Sequence, residues 1–217
     1  MMLVGRVLRG SLPVGALAIF VLTLRTCFRV AREAGHLEIF DQMEWTPVIS
    51  FFGESDPERA WFRRGFTALA VIVTVTLWIR GRQLGRETSL GSAWFRRGTV
   101  WATSALAIVC LLVMTWIPDD VSPVHFFAAL ATFFFLSVRG IVETTLAVRV
   151  FRARGFGVAH AAQVRWGLAC PIASAAYVAK WVSEGNVNAQ YLAVGLQFAY
   201  FLALTPELSR AEPAPRS

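Results

Sequence analysis

Residues 45–66 read WTPVISFFGESDPERAWFRRGF, the longest mixed polar and aromatic stretch in an otherwise apolar chain. The Asp56-Pro57 pair predicts a break in this stretch, because the residue before a proline is disfavoured in a helix and proline suits a helix's first turn. Asp56 is then a candidate N-cap for a helix that runs into the next apolar segment. The stretch is predicted to be an ordered loop that leads into a membrane-length helix.

The composition around this loop is that of a membrane protein. Of the 217 residues, 56% are hydrophobic and only 16% are charged, whereas about a quarter of a soluble domain is charged. Several apolar runs approach the roughly 20 residues that cross a bilayer. We therefore predict one all-α polytopic membrane domain over residues 1–217, without a soluble domain. The predicted spans comprise residues 12–30, 61–79, 99–117, 124–148, 165–181 and 189–204.

Charge is distributed unevenly between the segments that connect these spans. Those before span one, after span two and after span four contain one acid, Glu87, and many arginines. Loops rich in Arg and Lys stay in the cytoplasm, so both termini are predicted to be cytoplasmic. The net charge of +7 is then explained by attraction to anionic lipids rather than to nucleic acid. These arginines are Arg6, Arg9, Arg80, Arg82, Arg86, Arg96, Arg97, Arg149, Arg152, Arg154 and Arg165.

The order of short motifs resembles that of the FRAG/DRAM/SFK family of six-span membrane proteins. This family includes the post-GPI-attachment lipid-remodelling factor and the damage-regulated autophagy modulators. The resemblance covers residues 13–204, with Val124-His125 opening span four after an acidic turn. Gln197-Phe198 stands where the family often has Glu before an aromatic residue, which puts a role for that Glu in doubt here. The loop motif comprises Pro47, Ile49, Ser50, Gly53, Pro57, Glu58, Arg59 and, after an aromatic residue, Arg63.

What the resemblance implies is a six-helix bundle with cytoplasmic termini and a role in lipid handling. The family is tied to remodelling of GPI-anchor lipid, to leaflet lipid distribution and to autophagy, in the endomembrane system or the plasma membrane. No agreed set of catalytic residues and no cofactor comes with it.

One candidate catalytic group lies on the predicted outer face. His125 could act as a general base on a lipid ester, oriented by Asp119 or Asp120, with Asp56 or Glu58 as a second carboxylate or a metal ligand. No metal-binding or nucleophile motif supports this chemistry. The alternative is that the aspartates cap the fourth span, that the loop acids are solvated, and that His125 holds a loop by a hydrogen bond.

A second candidate group is intramembrane. Arg139 and Glu143 lie four residues apart, on one face of span four. Charge inside a membrane is costly and is usually paired or turned inward. The pair could be structural, contacting Gln197 or Lys180, or it could bind a lipid headgroup or an ion.

Arg63 belongs to the sextet AWFRRG, which occurs at residues 60–65 and again at 93–98. Tryptophan and arginine are typical of interfacial anchors, and a headgroup clamp is the alternative. The candidate lipid-binding residues are thus Arg63, Arg139, Glu143 and Gln197.

The sequence favours a non-enzymatic lipid-handling protein, and the partners that we expect are membrane lipids and another membrane protein. A structural subunit of a larger membrane complex and an interfacial lipid hydrolase or acyltransferase are the alternatives.

Overall fold

The computed structural model describes residues 2–43, 47, 49–87, 94–117, 123–154 and 158–208. These residues form helices and no strand. They include six long helices; the segment between the first two contains two short helices, and another short helix follows the sixth. The helices are α1 (Met2–Glu33), α2 (Glu38–Met43), a 3₁₀ helix (Ile49–Gly53), α3 (Glu58–Glu87), α4 (Trp94–Trp116), α5 (Val124–Arg154), α6 (Val158–Glu184), α7 (Val187–Ala203) and α8 (Thr205–Leu208).

The long helices are arranged in the order in which they occur in the sequence. α1 packs on α3, α3 on α4, α4 on α5, α5 on α6 and α6 on α7, while α7 and α8 return to α1. Short connections between neighbours make successive helices antiparallel. We call the end of the bundle at which α3, α5 and α7 begin the loop end.

Among the described residues, four helices are long and apolar enough to cross a membrane: Val7–Glu33, Glu58–Gly85, Arg97–Trp116 and Val124–Arg149. The all-α class and the membrane class are thus confirmed. Each of the six predicted spans lies within a long helix, except that the third and sixth spans run one residue past its end, and the helices extend beyond the predicted bounds by up to ten residues. The two remaining long helices, α6 and α7, are not among these four. α7 has only 17 residues, and small and polar residues lower the mean hydropathy of α6.

Pro47 and the 3₁₀ helix lie over the loop end. The backbone N–H of Ile49 donates to Gln190 Oε1 at 3.1 Å, and Tyr191 Oη donates to the carbonyl of Pro47 at 2.8 Å. Phe52 is fully buried, and its ring centroid lies 4.6 Å from that of Phe28 in α1. The 3₁₀ helix therefore packs onto α7 and α1.

Two glycines allow long helices to approach closely. A Cβ on Gly65 of α3 would lie 2.0 Å from Thr23 Oγ1 of α1, and one on Gly140 of α5 would lie 2.7 Å from Pro171 Cγ of α6. Real Cβ atoms do not approach so closely, so only glycine fits at either contact. Such small-residue contacts are typical of membrane helix pairs.

Candidate functional site

A largely apolar cavity of about 180 Å³ lies in the bundle between α3, α4, α5 and α7, and α1, the 3₁₀ helix and α6 contribute one lining residue each. Its polar lining is confined to four side chains. They are His125, Thr132, Gln190 and Gln197, and the apolar lining includes Phe20, Phe62, Phe66, Leu111, Phe133, Trp181, Val194 and Phe201.

His125 is positioned at the loop end of this cavity, as the second residue of α5. Its side chain is buried, and Nδ1 lies 2.7 Å from the carbonyl oxygen of Ile117, at the end of α4. A carbonyl can only accept, so Nδ1 carries the proton and Nε2 of the neutral ring is an acceptor. That buried Nε2 has no hydrogen-bond partner among the described residues.

Gln197 lines the same cavity from α7. Its Nε2 lies 3.0 Å from both Ser137 Oγ and Ser174 Oγ. Since Ser174 donates its only hydroxyl proton to the carbonyl of Ala193, it must accept from Gln197, and this fixes the amide orientation. Oε1 is left buried and without a partner in the part of the chain that the structure describes.

A separate polar cluster lies deeper in the bundle, around Glu143. Arg80 Nε donates to Glu143 Oε1 at 2.7 Å, Tyr200 Oη donates to Oε2 at 2.8 Å, and Arg139 Nη1 forms an ion pair with Oε2. Arg139 also donates to Tyr200 at 3.0 Å and to Ser104 at 2.9 Å. Both carboxylate oxygens are occupied, so the cluster ties α3, α4, α5 and α7 together.

This cluster corrects two expectations. Arg139 and Glu143 form no hydrogen bond or ion pair with Gln197 or Lys180. Gln197 bonds to two serines instead, and Lys180 pairs with the exposed Glu184. Arg80 is not a residue of a cytoplasmic loop: α3 continues to Glu87, and the Arg80 side chain is 1% exposed. Thr76, Arg80 and Gln83 are all buried along one face of α3, a helical spacing that could have revealed the longer helix.

The carboxylates of the loop do not form one group. Glu58 is fully buried, so the expectation of a solvated acid was wrong for this residue. Its Oε1 lies 2.6 Å from His36 Nδ1 and accepts from Ser55 Oγ at 3.0 Å. Asp56 is exposed, and Asp119 and Asp120 lie outside the described residues. In the described part of the chain, no three His, Cys, Asp or Glu side chains come together as metal ligands.

The remaining motif residues shape the loop end. α3 begins at Glu58, after Pro57, and a Cβ on Gly53 would touch the ring of Phe62 at 3.3 Å. Arg59 donates its backbone N–H to the carbonyl of Ser55. The side chain of Ser50 is outside the described atoms.

Arg63 lies apart from the cavity residues, on the side of the bundle. Its guanidinium lies 5.3 Å from the ring centroid of Trp116, and Nη2 donates to the Trp116 carbonyl at 3.2 Å. The four candidate lipid-binding residues therefore occupy three places: Gln197 lines the cavity, Arg139 and Glu143 form the buried cluster, and Arg63 packs on α4.

Taken together, the apolar helices, the buried charges and the internal cavity define a helical integral membrane protein. The family model described as the Frag1/DRAM/Sfk1/Cwh43P N-terminal domain matches residues 9–209. The chain belongs to this family. No curated protein and no solved structure matches it.

Proposed function

We propose that this protein is a non-enzymatic lipid-handling protein of the membrane, and that it binds one hydrocarbon chain of a lipid in the internal cavity. The observation that carries the proposal is the cavity itself, whose walls are mostly Phe, Leu and Val side chains. Apolar cavities of about 150 Å³ admit benzene, so 180 Å³ can take a ring or a segment of one chain.

The depth of the cavity also suits a lipid chain. Along α5 its lining runs from His125 to Leu136, eleven residues apart, which is roughly 17 Å at 1.5 Å per residue. Half of a bilayer's hydrocarbon core of about 30 Å is a similar distance. The lining is thus as deep as one leaflet and begins at the loop end.

Filling the cavity tests the proposal. Ala129 lines it and is 4% exposed, so Ala129→Phe should displace a bound chain. Thr132→Leu is a milder filler, because the Thr132 hydroxyl bonds only to the Ala128 carbonyl of its own helix. Ala105→Phe on the exposed face of α4 is the matched control.

The readout is native mass spectrometry of purified protein with lipid analysis of what copurifies. We expect wild type and Ala105→Phe to retain the same lipid, and both cavity variants to lose it while remaining monodisperse. Retention of an unchanged lipid set by both cavity variants would contradict the proposal. A stoichiometric protein partner without an enriched lipid would instead favour a structural subunit of a larger complex.

The proposed topology has six spans with both termini in the cytoplasm and the loop end on the opposite side. Its support is the coincidence of six long helices with the six predicted spans and the arginine-rich segments at the other end. Single-cysteine variants at Glu87 and Asp120 test it by accessibility labelling of intact cells. Labelling on opposite sides is expected, and labelling on one side would overturn the topology.

From the family alone, we propose that the protein works in the endomembrane system or the plasma membrane. We propose on the same ground that it acts in GPI-anchor remodelling, leaflet lipid distribution or autophagy. Deletion followed by analysis of leaflet lipids and GPI lipids tests this part. An unchanged lipid profile would count against it.

A further inference from the structure

Two side chains that line the cavity, His125 and Gln197, each carry a buried hydrogen-bond acceptor. Nε2 of His125 is an acceptor because Nδ1–H is held by the Ile117 carbonyl, and Oε1 of Gln197 is an acceptor because Nε2 is held by two serines. Both atoms are buried, and neither has a partner among the described residues. A buried acceptor without a partner is costly, so each can be satisfied by a donor on a ligand.

The two acceptors lie at different depths. Gln197 bonds to Ser137, which is twelve residues beyond His125 on α5, or roughly 18 Å along the helix. His125 is at the loop end, where Gln190 and Trp181 also line the cavity. The ring of Trp181 packs against Phe126 at 5.7 Å. This is the more polar end, so the polar end of a lipid fits beside His125 and its chain fits below.

An apolar chain alone would gain little by entering. The alternative to the cavity is the bilayer, whose tails are as apolar as the Phe and Leu side chains of the lining. Discrimination between lipids must therefore come from shape and from the polar contact. In a neutral imidazole Nε2 accepts a hydrogen bond, which a hydroxyl group can donate and an ionised phosphate cannot.

We propose that the cavity selects an uncharged lipid that carries a free hydroxyl group, and that this hydroxyl donates to His125 Nε2. The inference rests on the proposed function, since it assumes a lipid chain in the cavity. The hydroxyl could belong to a glycerolipid or to a sterol, because the acceptor recognises the same donor in both.

The test uses matched probes in phosphatidylcholine nanodiscs that contain the full-length protein. The probes are 1,2-dioleoylglycerol and cholesterol, each beside its methyl ether, and dioleoyl phosphatidic acid. Competition is read by native mass spectrometry. Because a methyl ether leaves the acceptor unpaired, the free hydroxyl of at least one pair should bind roughly tenfold more tightly than its ether. The pair that shows this preference identifies the source.

Variants assign the acceptor. His125→Phe should abolish the preference for the hydroxyl, whereas His36→Phe, outside the cavity, should leave it intact. The comparison of alcohol and ether in wild type needs no variant, so it stands even if His125→Phe does not fold. Gln197→Met should retain the preference for the hydroxyl. If Gln197→Met loses this preference and His125→Phe keeps it, His125 is not the acceptor.

The remaining outcomes separate the two proposals. Equal binding of alcohol and ether, with both displaced by Ala129→Phe, overturns the hydroxyl selection and leaves the chain site standing. Preference for phosphatidic acid also overturns it. Binding of none of the probes in the cavity, with no copurifying lipid, overturns the proposed function itself.

Discussion

Replacing Glu143 by glutamine keeps the shape of the side chain but removes the negative charge that Arg80 and Arg139 share. Two guanidinium groups would then be buried without their carboxylate. Removing one partner of a buried ion pair costs about 3–5 kcal/mol. Tyr200→Phe removes the bond donated to that carboxylate and the bond accepted from Arg139. Because Arg139 keeps Ser104 and Glu143 as partners, the main loss is the bond to the carboxylate, which is worth about 1.5–3 kcal/mol because the acceptor is charged.

Thermal unfolding in detergent, followed by size-exclusion chromatography, measures the difference. With about 2–4 °C per kcal/mol for a chain of this size, Glu143→Gln should lower Tm by roughly 6–20 °C and Tyr200→Phe by roughly 3–12 °C. Tyr177→Phe on α6 is the matched control, since Tyr177 lies outside the cluster, and its Tm should equal that of wild type.

The order of the three variants is the decisive result. If Glu143→Gln unfolds at the temperature of Tyr177→Phe, the cluster does not hold the four helices together. If Glu143→Gln is more stable than wild type, the desolvation of the charges outweighs their attraction, and the reasoning is refuted.

Four further substitutions should act in known directions, each measured as Tm of the purified variant. Gly65→Ala should destabilise the protein by about 1–3 kcal/mol, because the added Cβ would collide with Thr23. Gly195→Ala, which has open space around it, should stabilise the protein by up to about 1 kcal/mol. Equal shifts in Tm for these two variants would refute the close contact at Gly65. Glu58→Ala should cost about 1–3 kcal/mol by breaking the contacts to His36 and Ser55. Asp56→Ala at an exposed position should change stability by less than about 0.5 kcal/mol, and a loss as large as that of Glu58→Ala would contradict the assigned burial.

The long helices were predictable because bilayer-length apolar runs are visible in the composition of each segment. Their ends were not: Arg80 was interpreted as a loop residue since an arginine after an apolar run usually marks the interface. It is a core residue because Glu143, far along the chain, supplies its counterion. Which side chain on another helix pairs with Arg80 depends on how the helices pack, and the sequence near Arg80 does not show it.

The site was predictable as a set of residues and not as an arrangement. Arg139 and Glu143 were candidates because charged side chains in apolar runs are costly to bury. His125 was a candidate because it opens a span at the predicted outer face, and Gln197 because of its position in the family resemblance. The sequence could not show that Gln197 and His125 line one cavity while Arg139 and Glu143 satisfy each other elsewhere. Nor could it show that Ile117, through a backbone carbonyl, orients His125.

The ion pair between Arg80 and Glu143 joins helices that leave the ribosome at different times, 63 residues apart. The carboxylate that buries the Arg80 charge does not exist until α5 has been synthesised. An arginine at the centre of a newly inserted helix costs about 2.5–3.5 kcal/mol, whereas Arg80, seven residues from the end of α3, can extend its long side chain to the interface. The nascent α3 can therefore keep Arg80 at the interface until α5 arrives, and a chain that stalls after α4 would leave Arg80 without this counterion.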